Sequence, residues 1–267
     1  MIAPAAPALP VDLVESLRRL KLSTMREQAA EVLQTAKTQR WGAEDVLRTL
    51  LDAEIVARDA ANRRMRLKQA GFPVPKTLEA FNVPDSSIPH PTFDYIASLE
   101  WVHAKENLLL VGPSGTGKSH ALVGCGARAV ERGMKVRYVV AADLIETLYR
   151  GLADNTVGKV ISGLLRHELI LIDELGFAPL DDTGSQLLFR FVAAAYERRS
   201  LGVASHWPFE EWGRFLPVQT TAVSLLDRLL HHDHAVVVVT SGASWRMKEA
   251  RERKDRRDAD TGGTGHA

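Results

Sequence analysis

Between Gly112 and Ser119 the chain reads GPSGTGKS, and directly before it stands NLLLV. The spacing G-x-x-x-x-G-K-[ST], after an apolar strand and before a helical run, limits the local fold more than any other feature of the sequence. The glycines let the backbone curl so that successive N–H groups point inward. The helix that starts near Lys118 adds the positive end of its dipole, so the loop is shaped to hold phosphates. Gly112, Pro113, Ser114, Gly115, Thr116, Gly117, Lys118, Ser119 and His120 are therefore the expected ATP-binding residues. Lys118 is placed to reach the β- and γ-phosphates, and Ser119 to offer its hydroxyl to Mg²⁺. The competing reading, a glycine-rich turn without a ligand, has both flanking elements against it.

Five apolar runs, NLLLV, KVRYVV, ELILID, SLGVAS and HAVVVV, alternate with amphipathic segments. Strands apolar at nearly every position are buried on both faces, as in a parallel sheet sandwiched between helices. The expected fold is an α/β P-loop core with a five-stranded parallel sheet, preceded by a small all-helical domain. In LILIDE the apolar run ends in Asp173, at the carboxyl edge of a strand where open α/β sheets bind ligands. Asp173 is the expected Mg²⁺-side carboxylate and Glu174 the base that polarises the attacking water. Two acids at a mere surface edge are the alternative.

Before the core, Val11, Val14, Leu17 and Leu20 share one helical face. Thr24 and Glu27 stand at capping-box spacing to start a second helix. A third helix is expected from about Glu44 to Gln69, ending at Gly71 as a C-cap. The prolines of GFPVPKTLEAFNVPDSSIPHP exclude a continuous helix and suit an extended linker. The expected organisation is a helical module over 1–72, a Pro-rich linker over 73–92, the core over 93–250, and a charged disordered tail over 251–267.

Composition adds limits rather than identity. The 267 residues, 45% apolar, include 34 basic and 33 acidic side chains, so there is no global basic field to attract nucleic acid. The single Cys125 rules out an internal disulfide framework and suits a reducing cytoplasm, where we expect the chain to work. No run of apolar residues is long enough to span a membrane, and MIAPAAPALP lacks the pattern of a signal peptide.

The segments GPSGTGKSH, LILIDELGFAPLDDTGSQLLFRFVAAAYERRS, WPFEEWG, LLDRLLHHDHAVVV and SGASWRMKE, with LKLSTMREQ and LLDAEIVARDAANRRM earlier, resemble in order and spacing the IstB-like ATP-binding proteins. These are helper ATPases encoded beside an insertion-sequence transposase. The resemblance runs from about Leu17 to Glu249. It implies an AAA+ ATPase of the clade that also holds DnaC-like helicase loaders and DnaA-like initiators. Such a protein assembles as an ATP-bound homo-oligomer on duplex DNA, largely without regard to sequence, and recruits and stimulates a cognate transposase. It further implies that Arg228, in LLDRLL, is the arginine inserted into a neighbouring subunit's site, and that Arg246, in SWR, is a sensor-2 arginine. For Arg228 a surface pairing with Asp227 is the competing reading.

One departure stands out. The family usually ends its fourth strand with Asn, which positions the attacking water, whereas this strand ends GVASHW and presents His206. Imidazole is bulkier and titratable, so slow or pH-sensitive hydrolysis is the expectation. For DNA, the basic run Arg58, Arg63, Arg64, Arg66 and Lys68 is the expected phosphate-contacting surface; a salt-bridged helix with Glu54 and Asp59 is the alternative. The cluster His231, His232, Asp233, His234 is not expected to bind metal. Cys125 is expected in the core, and Trp207, Phe209 and Trp212 are expected to pack locally. Three rivals to the transposition helper remain: a helicase loader, a non-hydrolysing scaffold that uses ATP at its interfaces, and a metabolite kinase.

Overall fold

The computed structural model describes residues 7–230 and 235–242. The chain divides into two compact units, Met1–Met65 and Arg66–Ala267. The N-terminal unit contains α1 (Val11–Arg19), α2 (Ser23–Gln39) and most of α3 (Ala43–Ala70), inside which the division falls. Its core is small: Leu17, Met25, Ala29 and Leu50, with Leu9, Leu22, Val32 and Val46 packed around them. The four-residue stripe read along α1 is not buried as a stripe. Val11 is 74% and Leu20 66% exposed, because a nine-residue helix meets its neighbours chiefly through Leu17.

The capping box also gives way to a different device. Helix α2 starts at Ser23, and no side chain at its N-cap accepts a hydrogen bond. Instead the backbone N–H groups of Thr24 and Met25 donate to Glu54 Oε2 at 2.8 and 3.0 Å. A carboxylate from α3 thus satisfies the orphan donors and faces the positive end of the α2 dipole. Glu54 is itself buried, and these amide bonds together with Arg58 hold its carboxyl below the usual range.

Beyond α3, which stops before Gly71 at φ +77°, come α4 (His90–Ser98), α5 (Glu100–His103), β1 (Asn107–Val111), α6 (Lys118–Glu131), β2 (Val136–Val140) and α7 (Ala141–Ala153). Then follow α8 (Val157–Leu164), β3 (Leu169–Leu175), α9 (Asp182–Ala195), β4 (Ser200–Ser205), a 3₁₀ turn (Phe209–Arg214), α10 (Gln219–Leu230) and β5 (Ala235–Val239). The five strands form one sheet in the order β2-β3-β4-β1-β5, every pair parallel.

Alternate strand residues enter two cores. Leu108, Leu110, Leu169, Leu171 and Ala204 meet α4, α5 and α6; Leu109, Ile170, Ile172, Leu201 and Val203 meet α7 through α10. Cys125 is fully buried in the first core, and burial pushes its thiol up to about 12. The segment over 73–92 is not a free linker. Leu78, Phe81 and Ile88 are buried in that same core, because apolar side chains spaced between the prolines find the surface of α6 and α4. The prolines prevent helix without preventing packing. No helix among the described residues is long and apolar enough to cross a membrane.

Candidate nucleotide site

Since all strands run the same way, their carboxyl ends lie along one edge. Val111 pairs with Ser205 on one side and Val239 on the other, and Val140 pairs with Asp173. The loop after β1 therefore emerges between the ends of β4 and β5, the crevice in which such sheets bind ligands.

Gly112 opens this loop at φ +137°, and a Cβ there would lie 2.1 Å from the backbone oxygen of Thr240. Only glycine permits so close an approach of two chain segments. Gly117 closes the loop at φ +93°, its Cα facing the Phe81 ring, where a Cβ would stand 2.9 Å from Cε2. Between them Lys118 is buried, and its Nζ donates to the carbonyl oxygens of Gly112 and Pro113, each at 2.6 Å. A buried ammonium requires such acceptors, so the loop is a ring of backbone around a cation. Pro113 and Ser114 are exposed, while Gly115, Thr116, Ser119 and His120 are half-buried. Ser119 is in the first turn of α6, directly after Lys118. His120 Nε2 shares a 2.9 Å hydrogen bond with Thr77 O, and its ring stands edge-on to Phe81 at 5.3 Å. His120 thereby ties the 73–92 segment to the loop.

Thr240, just past β5, holds the other side. Its N–H donates to Val111 O at 2.7 Å, and its hydroxyl meets that of Thr116 at 2.6 Å. Nothing in the local sequence marked Thr240, since its role depends on the β1–β5 pairing.

Asp173 is 4% exposed, and both its oxygens are engaged: Glu174 N donates to Oδ1 at 2.9 Å and Tyr138 Oη to Oδ2 at 2.8 Å. Glu174 is exposed, at φ +58°, where the β3–β4 register shifts between Ile172 and Leu175. A left-handed glutamate costs on the order of 1 kcal/mol, and strain of this kind gathers at functional sites. Its effect here is visible: the turn brings the Glu174 amide onto Asp173.

His206 follows the last residue of β4, half-buried between Trp207, 4.5 Å between ring centres, and Phe177 at 6.3 Å. Burial, and then the positive charge of Lys118, lower its pKa below 6.5. The imidazole is thus neutral at about pH 7 and titrates only in acid. Trp207, Phe209 and Trp212 pack on one another and on Phe215, with Trp207 Nε1 donating to Gly176 O at 2.9 Å.

Arg228, half-buried on α10, has its guanidinium 4.6 Å above the Phe189 ring. Arg246 and the cluster from His231 to His234 lie outside the described residues, as does the 251–267 tail. Of the basic run, Arg58 is committed to structure: it pairs with Glu54 at 2.9 Å and donates to Lys21 O at 2.7 Å. Arg63, Arg64 and Lys68 are exposed, and Arg66 is half-buried.

A glycine loop whose carbonyls hold a buried lysine, a hydroxyl at the start of the helix that follows and a buried carboxylate near the end of β3, with β4 between β3 and β1, form a donor set suited to a nucleotide triphosphate with its divalent cation. Lys118 would neutralise phosphate charge, with Ser119 and Asp173 on the cation side.

Residues 15–253 match the family model of the IstB-like ATP binding protein. The "Insertion sequence IS5376 putative ATP-binding protein" of Geobacillus stearothermophilus is 30% identical over 91% of this chain and 96% of its own. The "Insertion sequence IS21 putative ATP-binding protein" of Pseudomonas aeruginosa is 31% identical over 88% of this chain and 89% of its own. Among solved structures, AMPPCP-bound DnaA from Aquifex aeolicus superimposes with a TM-score of 0.53 at 19% identity, covering 70% of this chain and 56% of that one. DnaI does so with a TM-score of 0.52 at 15% identity, covering 67% and 94%. These structural likenesses establish the shared fold; the family match over residues 15–253, with relatives at 30% and 31% identity, shows that the chain belongs to the IstB-like ATP-binding protein family.

Proposed function

We propose that the chain is an ATPase of the AAA+ type that, with ATP and Mg²⁺ bound, assembles as a homo-oligomer on duplex DNA and recruits and stimulates a partner transposase in the cytoplasm. The observation that carries the nucleotide half of this reading is the glycine loop wound around buried Lys118, with buried Asp173 near the carboxyl end of β3 in the same parallel sheet. The helper role draws its support from the family and from relatives named for insertion sequences.

In this reading Gly112 through His120 bind the phosphates, and Ser119 and Asp173 serve the cation. Glu174 polarises the attacking water, and His206, neutral at working pH, orients it by a hydrogen bond. Arg228 completes a neighbouring subunit's site. Lifted from Phe189, its guanidinium would meet the γ-phosphate, where an arginine of this kind is worth on the order of 10³–10⁵ in rate in other phosphoryl-transfer systems. Arg246 acts as a sensor for the bound nucleotide. The helical N-terminal module contributes DNA contacts through Arg63, Arg64, Arg66 and Lys68. Arg58 contributes at most through the face of its guanidinium that Glu54 leaves open.

A second reading keeps a specific observation in its favour. Histidine in place of the usual asparagine after β4 suits a scaffold that binds ATP and hydrolyses it hardly at all. Titrating a fluorescent duplex in ATP-Mg²⁺, in ADP-Mg²⁺ and with Lys118→Ala, while following phosphate release, tests both. The helper reading expects tight binding only with ATP and intact Lys118, with measurable turnover on DNA. Binding indifferent to nucleotide and to Lys118 would overturn it, and ATP-dependent binding without turnover would leave the scaffold.

A further inference from the structure

Asp173 carries the cation side of the site, yet nothing in the β3 sequence fixes which way its carboxylate faces. That direction is set from β2. Val140 stands directly beside Asp173 in the parallel register, and Tyr138 stands beside Leu171, so Tyr138 lies diagonal to Asp173 on the same sheet face. From there its hydroxyl donates to Asp173 Oδ2 at 2.8 Å, while the Glu174 amide donates to Oδ1. The two donors approach different oxygens and lock the carboxylate against rotation. Each oxygen keeps a second lone pair.

The tyrosine is itself held. It is 8% exposed, and the Phe72 ring meets it edge-on at 6.2 Å. Beside it Arg137 Nη1 donates to Gln69 O at 3.2 Å, which fastens the end of α3 to β2. A phenylalanine would fill the same space in the first core; among the described residues the hydroxyl's partner is Asp173.

We infer that Tyr138 is a positioning residue for the cation site, orienting Asp173 toward the ion that accompanies the nucleotide. The inference rests on the nucleotide reading above. Tyr138→Phe removes one oxygen and leaves the ring, so Asp173 keeps its charge but loses half of its restraint.

The test uses the full chain with ATP and Mn²⁺ as a paramagnetic probe, and reads Mn²⁺ affinity by electron paramagnetic resonance in four proteins: the parent, Tyr138→Phe, Asp173→Asn and the double variant. ATP affinity in EDTA and the thermal midpoint are measured beside it. The expected result is Mn²⁺ binding weaker by on the order of tenfold to a hundredfold in Tyr138→Phe, the scale of one hydrogen bond to a charged group, with ATP affinity in EDTA unchanged. Adding Tyr138→Phe to Asp173→Asn should then cost nothing further, because the effect runs through the carboxylate. Unchanged Mn²⁺ affinity in Tyr138→Phe, or an equal loss in both backgrounds, would overturn the inference while leaving the nucleotide site intact. A parent protein that binds no Mn²⁺ with ATP would overturn the site reading, and the inference with it.

Discussion

Replacing Gly112 by alanine should be among the most damaging single-methyl additions to this protein, and its cost can be worked from the structure. The residue sits at φ +137°, a conformation that costs a residue with a Cβ about 1–3 kcal/mol. The new methyl would also lie 2.1 Å from Thr240 O and 2.6 Å from Thr240 Oγ1, so one of the two segments must move. If Thr240 yields, its amide bond to Val111 O and its hydroxyl contact with Thr116 are lost, at about 1 kcal/mol each. If the loop yields, the phosphate cradle opens instead. The total, about 3–5 kcal/mol, is divided between folding and ATP binding. Urea unfolding without nucleotide and titration with a fluorescent ATP analogue measure the two parts. Gly158→Ala is the control: nothing stands within 4 Å of the methyl it would add. It lies in α8, where alanine is favoured over glycine by up to about 1 kcal/mol. If the two losses in Gly112→Ala together came to less than about 1 kcal/mol, the close packing of loop against Thr240 would be wrong.

His206→Asn should raise ATP turnover on DNA and remove an acid-side loss of activity. Burial and the positive charge of Lys118 lower the imidazole's pKa, so it gains its proton only as pH falls through that lowered value. A pH–rate profile of both proteins, with no gain in rate and the same acid limb, would speak against it. Arg228→Ala should leave ATP affinity unchanged, slow turnover at least tenfold in the assembled state, and lower stability by only about 0.5–1 kcal/mol through the lost contact with Phe189. Equal turnover in single-turnover assays of the two proteins would refute this role. Glu54→Gln should speed hydrogen exchange at the Thr24 and Met25 amides at about pH 7. The Glu54 carboxyl is held below the usual range, so its stabilising effect is present above the ordinary glutamate value and fades as pH drops through the lowered one. Exchange at those two amides that ignores both the substitution and acidification would exclude the carboxylate as the cap of α2.

What the sequence made legible were features whose signal is local. Every strand was readable because residues such as Leu108, Leu109 and Leu110 are apolar on both faces, which a sheet covered by helices requires. The tight loop that opens at Gly112 was readable because Gly112, Gly115 and Gly117 stand where the backbone takes positive φ. Long-range features were hidden. Glu54 caps a helix that begins about thirty residues earlier, and Thr240 meets Gly112 only once β5 lies beside β1. The prolines around Leu78 and Phe81 signal irregular backbone but carry no information about burial, so a packed segment reads as a linker. For Arg58 the sequence left two readings, a basic surface and an ion pair with Glu54 at i,i+4 spacing, and the ion pair is formed.

In the proposed function the nucleotide governs assembly on DNA. Size-exclusion chromatography with light scattering, run with and without a long duplex in ATP-Mg²⁺ and then in ADP-Mg²⁺, tests it most directly. The account predicts a large complex of many protomers on the duplex with ATP and its dissolution with ADP. A monomer under every condition would contradict it, and would leave Arg228 without a neighbouring site to complete.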